Sequence, residues 1–228
     1  MYVSGGDIDE LYVKINRELS MLLDWFRANK LSLNESKTQY MLFTTKPTHN
    51  ANNTISINNN DVSRVQHFKL LGITIDDKLK WNEHTRVINQ RIVRALFAIN
   101  KVKMCLPKSQ LRMLYHAIVY PHLTYGITLW GSAPEIHKIQ IKVTQKKIIR
   151  IINRSAFDAP SEPIFKSLNI LNLDDIYKYT TTRYILQFLS KNLPVLNENL
   201  FQVIPDIHNR LTRQNKIYRL HAHRPRTT

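Results

Sequence analysis

Apolar residues at helical spacing are the first pattern in the chain. Ile8, Leu11, Ile15, Leu19, Leu22 and Phe26 recur at steps of three and four, which puts them on one helix face. Asp7 is a good start cap, and Glu10 completes a capping box. The pattern predicts a helix over 7–29. After a turn-like stretch at 32–36, flanked by Lys30 and Lys37, the period changes. Thr38 to Phe43 is β-rich, and the Asn- and Thr-rich sequence from Thr44 to Thr54 reads as a loop. A short strand is expected over Ile55–Ile57, with Asn58 to Asp61 as its turn. Val65 to Ile75 is a second β-rich run. Gly72 interrupts it, and a glycine inside a strand marks a bulge or a close approach by another backbone.

From Trp81 onward the spacing is helical. Ile88, Ile92, Ala95, Leu96, Ile99 and Val102 make an apolar stripe, with Arg86, Arg91, Arg94, Lys101 and Lys103 mostly off it. Pro107 suits the start of a helix carrying Leu111, Leu114, Tyr115 and Ile118, which Pro121 should kink or end. Tyr125, Gly126, Trp130 and Gly131 mark a turn region, with Tyr125 and Trp130 as core or turn anchors. A long helix is expected over 134–153 and another over 173–191, stopped by Pro194. The stretch from Ile207 is polar and basic, the pattern of a loosely ordered end. The fold expected is α+β: a small antiparallel sheet over 38–75 packed on the first helix, then mostly α-helical structure.

Charge changes this picture. Lys and Arg number 33 and Asp and Glu 17, a formal net charge of +16. That excess predicts attraction to polyanions, with nucleic acid first and an anionic membrane second; the plainer alternative is a charge that serves solubility. Cys105 is the only cysteine, so an intrachain disulfide and a thiolate zinc cluster are both excluded, and a reducing, intracellular compartment fits. No apolar run is long enough for a membrane span, and the amino terminus lacks the pattern of a signal peptide. His221 and His223 lie close together with no second pair at zinc-ligand spacing.

Several segments, in order, resemble the reverse transcriptase of jockey-like non-LTR retrotransposons. MYVSGG resembles the sequence just after that family's aromatic-x-Asp-Asp catalytic turn. NRELSMLLDWFRANKLSLNESKTQYMLF resembles its late palm helix and following strand. HFKLLGITIDDKLKWNEH resembles its primer-grip hairpin, and LPKSQLRMLYHAIVYPHLTYGITLWG its thumb helices. EPIFKSLNILNLDDIYKY and HNRLTRQ resemble segments near the end of such polyproteins. The resemblance implies a residual palm over 1–78, a helical thumb-like region over 79–155 and a helical carboxy-terminal region with a basic tail over 156–228.

Residue by residue, Lys37 in SLNESKT matches a lysine that in the family lies near the incoming nucleotide. An ammonium group there would stabilise and protonate the departing pyrophosphate; the residue-level alternative is a surface lysine at a strand start. Phe68, Leu70, Leu71 and Gly72 match the primer grip, where a tight hairpin presses backbone against the primer strand. The alternative is an ordinary strand with a bulge. The resemblance also implies magnesium in the intact family, because polymerisation needs two metal ions clamped by carboxylates. Those carboxylates are expected upstream of Met1, so no metal is expected on this chain alone. Two acidic pairs remain. Asp76-Asp77 is expected to form a turn and cap a helix, and Asp174-Asp175 to sit at a helix start.

Lys138, Lys142, Lys146, Arg150 and Arg154 fall at strict steps of four. On a helix each step drifts by about 40°, giving a slanting basic strip able to follow a phosphate backbone, or a solvated helix face. Lys147 and Arg213 add charge elsewhere. The expected partner is an RNA or DNA template–primer duplex bound with little base preference. The remainder of a polymerase, or self-association, is expected to cover the apolar face that the small sheet leaves open. Three readings share the sequence: a polymerase fragment inactive alone, a non-enzymatic nucleic-acid-binding protein derived from a retroelement, and a non-functional remnant.

Overall fold

A computed structural model describes residues 1–44 and 54–190, together with the short strands Phe201–Val203 and Tyr218–Leu220. Most of the 44–54 loop, the stop at Pro194, Arg213, the His221–His223 pair and most of the basic end lie outside the described residues. The chain forms two compact units, Met1–Tyr177 and Lys178–Thr228.

The first helix, α1 (Ile8–Ala28), starts as the sequence predicts. The Asp7 carboxylate accepts the backbone N–H groups of Asp9 and Glu10 at 3.1 and 3.2 Å. The strands after it are very short. β1 (Gln39–Tyr40) pairs with β4 (Ser63–Arg64), and β2 (Ser56–Ile57) pairs antiparallel with β3 (Asn60–Asp61). The β1–β4 pair is parallel, unlike the antiparallel arrangement expected throughout. The expected four-residue turn at 58–61 narrows to Asn58 and Asn59. Both have positive φ, a conformation asparagine tolerates, so Asn60 and Asp61 are free to pair as a strand.

The next hairpin joins β5 (His67–Leu70) to β6 (Ile73–Asp76), with Leu70 opposite Ile73. Leu71 and Gly72 close it with φ of 47° and 86°. Positive φ at both central residues is the two-residue turn whose twist matches that of the strands. Gly72 therefore makes a turn, where the sequence reading offered a bulge or a close approach by another backbone.

Helices follow: α2 (Asn82–Val102), α3 (Lys108–Ile118), α4 (Tyr120–Thr124), α5 (Ile127–Trp130), α6 (Glu135–Asn153), α7 (Ser161–Leu168) and α8 (Leu173–Leu189). Pro107 precedes α3 and Pro121 lies in the first turn of α4, positions where a missing N–H costs nothing. The short α7 is unexpected; its Pro163 also sits in a first turn. Arg154 ends α6 with φ of 56°, and its guanidinium donates to the carbonyls of Lys103 and Leu106 at 3.2 and 3.3 Å.

Two apolar clusters organise the first unit. The larger gathers Ile73 of the hairpin with Ile88, Ile92 and Ile99 of α2, Tyr115 of α3, Trp130 of α5 and Ile141 and Ile148 of α6. A buried glutamine braces it. Gln145 donates to the Tyr115 hydroxyl at 2.8 Å and the Leu171 carbonyl at 2.9 Å, and accepts the Leu173 N–H at 3.0 Å. The smaller cluster holds Leu19 against Ile55 and Ile57. Beside it an open apolar groove of about 670 Å³ runs between α1 and the strands, lined by Leu11, Ile15, Phe26, Tyr40 and Phe68 among others. The architecture is α+β with a mostly helical remainder, as expected. Among the described residues no helix is long and apolar enough to cross a membrane.

Candidate nucleic-acid interface

The β5–β6 hairpin is fixed to the helical body at three points. At the tip, the Tyr125 hydroxyl donates to the Leu71 carbonyl, and the tyrosine ring lies against Gly72. Behind it, Ile73 packs onto Gly126 so closely that a Cβ there would meet Ile73 Cδ1 at 2.5 Å. Gly126 has φ of 62°, a conformation that favours glycine. At the far side, the Thr74 N–H donates to His84 Nδ1 at 3.2 Å. Accepting there puts the imidazole proton on Nε2. The ring stands edge-on between Trp81 and Trp130, 6.3 and 5.9 Å away. Burial first, and the Arg91 charge second, push the His84 pKa down to about 4, so the ring is neutral at ordinary pH.

The four primer-grip positions are thus brought together on a braced hairpin. Phe68, Leu70 and Leu71 are exposed apolar side chains, Leu71 by 83%. Leucine at positive φ is strained by about 1 kcal/mol or more. Its side chain gains little packing within the chain in return.

The five cations of the α6 strip stand differently. Lys138 donates to the Gly131 carbonyl at 3.0 Å. Lys142 bridges Glu135 and Asp174, the latter at 2.7 Å. Burial alone would depress its pKa, but the hydrogen bonds and charges of Asp174 and Glu135 outweigh it and hold the ammonium above its ordinary value. Arg150 donates to the Ala159 carbonyl at 2.9 Å, and Arg154 to the loop after α2. Of the five, Lys146 alone is exposed with no hydrogen bond or ion pair among the described residues. The strip runs beside the buried Ile141, Gln145, Ile149 and Ile152, so it forms the helix's flank and not its outer face.

Two of the cations that the sequence places off the α2 apolar stripe face outward. On α2, Arg94 and Lys101 are exposed and likewise unpaired among the described residues, with the exposed ring of Phe97 between them. Their signal in the sequence is the α2 periodicity, which leaves both off the apolar stripe. Lys37 is exposed in a 3-10 turn at Glu35–Lys37, capped by Asn34, which accepts its N–H at 3.1 Å. Glu35 in that turn accepts from Asn58 and Asn60 at 2.6 and 2.8 Å. These two amides, Asn58 before Asn60, lower its pKa. The structure does not bring Lys37 together with the hairpin tip through any hydrogen bond or ion pair among the described residues.

Three of the four carboxylates in the acidic pairs are engaged within the chain. Asp76 is buried and accepts the N–H groups of Lys78, Lys80 and Trp81 at 3.1, 2.9 and 2.6 Å. Burial raises its pKa, yet these three donors outweigh that and hold the carboxyl below its usual range. Its carboxylate closes the turn into α2, where Trp81 has a left-handed conformation and no side-chain cap. Asp174 pairs with Lys142, and Asp175 accepts from the Asn172 amide at 2.7 Å. Among the described residues no three His, Cys, Asp or Glu side chains gather as a metal site.

The chain is 26% identical to a probable RNA-directed DNA polymerase from transposon BS of Drosophila melanogaster, over 170 residues that make up 73% of this chain. It is 26% identical to the RNA-directed DNA polymerase from mobile element jockey of the same fly over 58% of the chain. It is also 24% identical to a probable RNA-directed DNA polymerase from transposon X-element over 71%. The chain is related to transposon-borne RNA-directed DNA polymerases. The jockey-like resemblance read from the sequence is borne out. The chain spans between 15% and 19% of the length of these polymerase relatives. No family model matches it, and no solved structure does.

Proposed function

We propose that this chain holds the template–primer duplex of a retrotransposon RNA-directed DNA polymerase and does not polymerise by itself. The observation that carries the reading is the hairpin tip. Leu71 is strained, 83% exposed and set on a hairpin braced at three points. A strained, solvent-facing apolar residue on a rigid mount is suited to contact something outside the chain. The net charge of +16 favours a polyanion as that partner. Arg94, Lys101 and Lys146 supply cations free to meet phosphates, and Phe97 supplies an apolar surface beside them.

The test is titration of a labelled RNA–DNA hybrid at several salt concentrations. Leu71→Gly relieves the backbone and removes the apolar side chain. The protein should become no less stable, while hybrid affinity falls about fivefold, equivalent to about 1 kcal/mol. An unchanged affinity would reject the tip as a point of contact. Replacing Arg94 and Lys101 by glutamine should flatten the salt dependence by about one unit for each phosphate no longer neutralised. Primer extension with Mg²⁺ or Mn²⁺ is expected to give no incorporation, and robust incorporation would overturn that half of the reading.

A further inference from the structure

We propose that Tyr125 is a positioning residue: it latches the Leu71-Gly72 tip to the helical body and so sets where the tip meets a duplex. The inference rests on the reading of the tip as a nucleic-acid contact and adds the residue that aims it.

A two-residue turn fixes the register of its own strands, but not the direction of its tip relative to the rest of the molecule. Here that direction is set from outside. Tyr125 follows α4 directly, and its backbone is itself held, because the Trp130 indole N–H donates to the Tyr125 carbonyl at 2.9 Å. Trp130 is fully buried in the main core. From this fixed base the phenol reaches across 54 residues of sequence to the Leu71 carbonyl. Its ring covers the face of Gly72 that lacks a side chain, with Cε1 at 3.6 Å from where a Cβ would stand. The strand that leaves the turn is secured separately, by Ile73 on Gly126 and Thr74 on His84. Tyr125 therefore acts on the two turn residues, Leu71 and Gly72, and not on the strand after them. Tyr125 is 55% exposed and is not one of the buried core residues.

The experiment uses the full chain with Tyr125→Phe, which removes the hydroxyl and keeps the ring, and Tyr125→Ala, which removes both. Three quantities are read: thermal unfolding, amide hydrogen exchange, and the affinity and hydroxyl-radical footprint on an RNA–DNA hybrid. For Tyr125→Phe the unfolding midpoint should stay constant. Exchange at Leu70 to Ile73 should rise about fivefold, the equivalent of one ordinary hydrogen bond, with α2 and α6 amides unmoved. Hybrid affinity should fall about threefold, and the footprint edge should broaden; Tyr125→Ala should do more of each. Unchanged exchange and footprint in Tyr125→Phe would overturn the proposal. So would a fall in affinity that merely tracks a fall in the unfolding midpoint, since that is lost stability and not lost aim. If the unaltered chain binds no hybrid, the proposed function fails, while the exchange measurement still decides whether the latch exists.

Discussion

The helical body and the α1–strand region solve the same burial problem to different degrees. In the body, α2, α3, α5 and α6 enclose a core in which Ile92, Ile99, Tyr115, Trp130 and Ile148 are sealed from solvent. Around α1, the buried apolar residues among those described are Leu19, Leu42, Ile55 and Ile57, the strands pair over two residues each, and an apolar groove stays open. Both regions have amphipathic helices, so patterning does not separate them. The number of elements that cover each apolar face does. Long helices can enclose one another, whereas two-residue strands cannot cover a helix of 21 residues.

Truncating the centre of each region should give the largest effect and sharpen the contrast. Trp130→Ala should cost about 4 kcal/mol and Leu19→Ala about 2 kcal/mol in denaturant unfolding. Equal losses would mean that the two clusters are equally well packed.

Acid should come next. His84 belongs to the body, and its pKa of about 4 in the folded chain lies below the ordinary 6.5. The unfolded chain therefore takes the proton first. Stability from the neutral ring is fully present above about pH 6.5 and is lost as pH falls toward 4, by at most about 3 kcal/mol. His84→Gln should remove that part of the slope, and an unchanged slope would show that other groups produce it.

Gly131→Ala tests the tightness of the body directly, since a Cβ there would meet Tyr177 Cδ2 at 2.2 Å and the Ile127 carbonyl at 2.5 Å. A destabilisation of about 1–3 kcal/mol is expected. Glu35→Gln should have the smallest effect, because its carboxylate meets only the surface amides of Asn58 and Asn60 and no core group. Faster amide exchange at Asn58 to Asn60, with the unfolding midpoint unmoved, is the expected result. A global drop in stability would make this outlying network part of the core.

Much of the helical body was legible in the sequence. Prolines placed the start of α3, and the bounds read for α6 fall within a residue, whereas Pro121 lies inside α4 and does not mark the end of α3; apolar steps of three and four gave the inward faces of α1 and α2. Partners across the chain were not legible. The step-of-four cations in α6 read as a phosphate-following strip because nothing nearby revealed that Asp174 and the carbonyls of Gly131 and Ala159 would engage three of them. The parallel β1–β4 pairing was hidden for the same reason, since two-residue strands carry almost no pattern. At the candidate site, Phe68 to Gly72 could be named in advance. Tyr125, which holds their tip, was recognised only as a core or turn anchor, because its acceptor is a backbone carbonyl far away in sequence.

Position 154 carries two requirements that pull apart. As backbone it turns the chain out of α6 at φ of 56°, where glycine or asparagine would be easiest. As a side chain it must be long and rich in donors, to reach two carbonyls 51 and 48 residues earlier. A replacement chosen for the turn would cut the tether between two helix ends, and one chosen for surface charge alone, such as glutamate, would fail at both. Arginine is a compromise at this point in the chain, and an engineer simplifying the protein would do well to leave it in place.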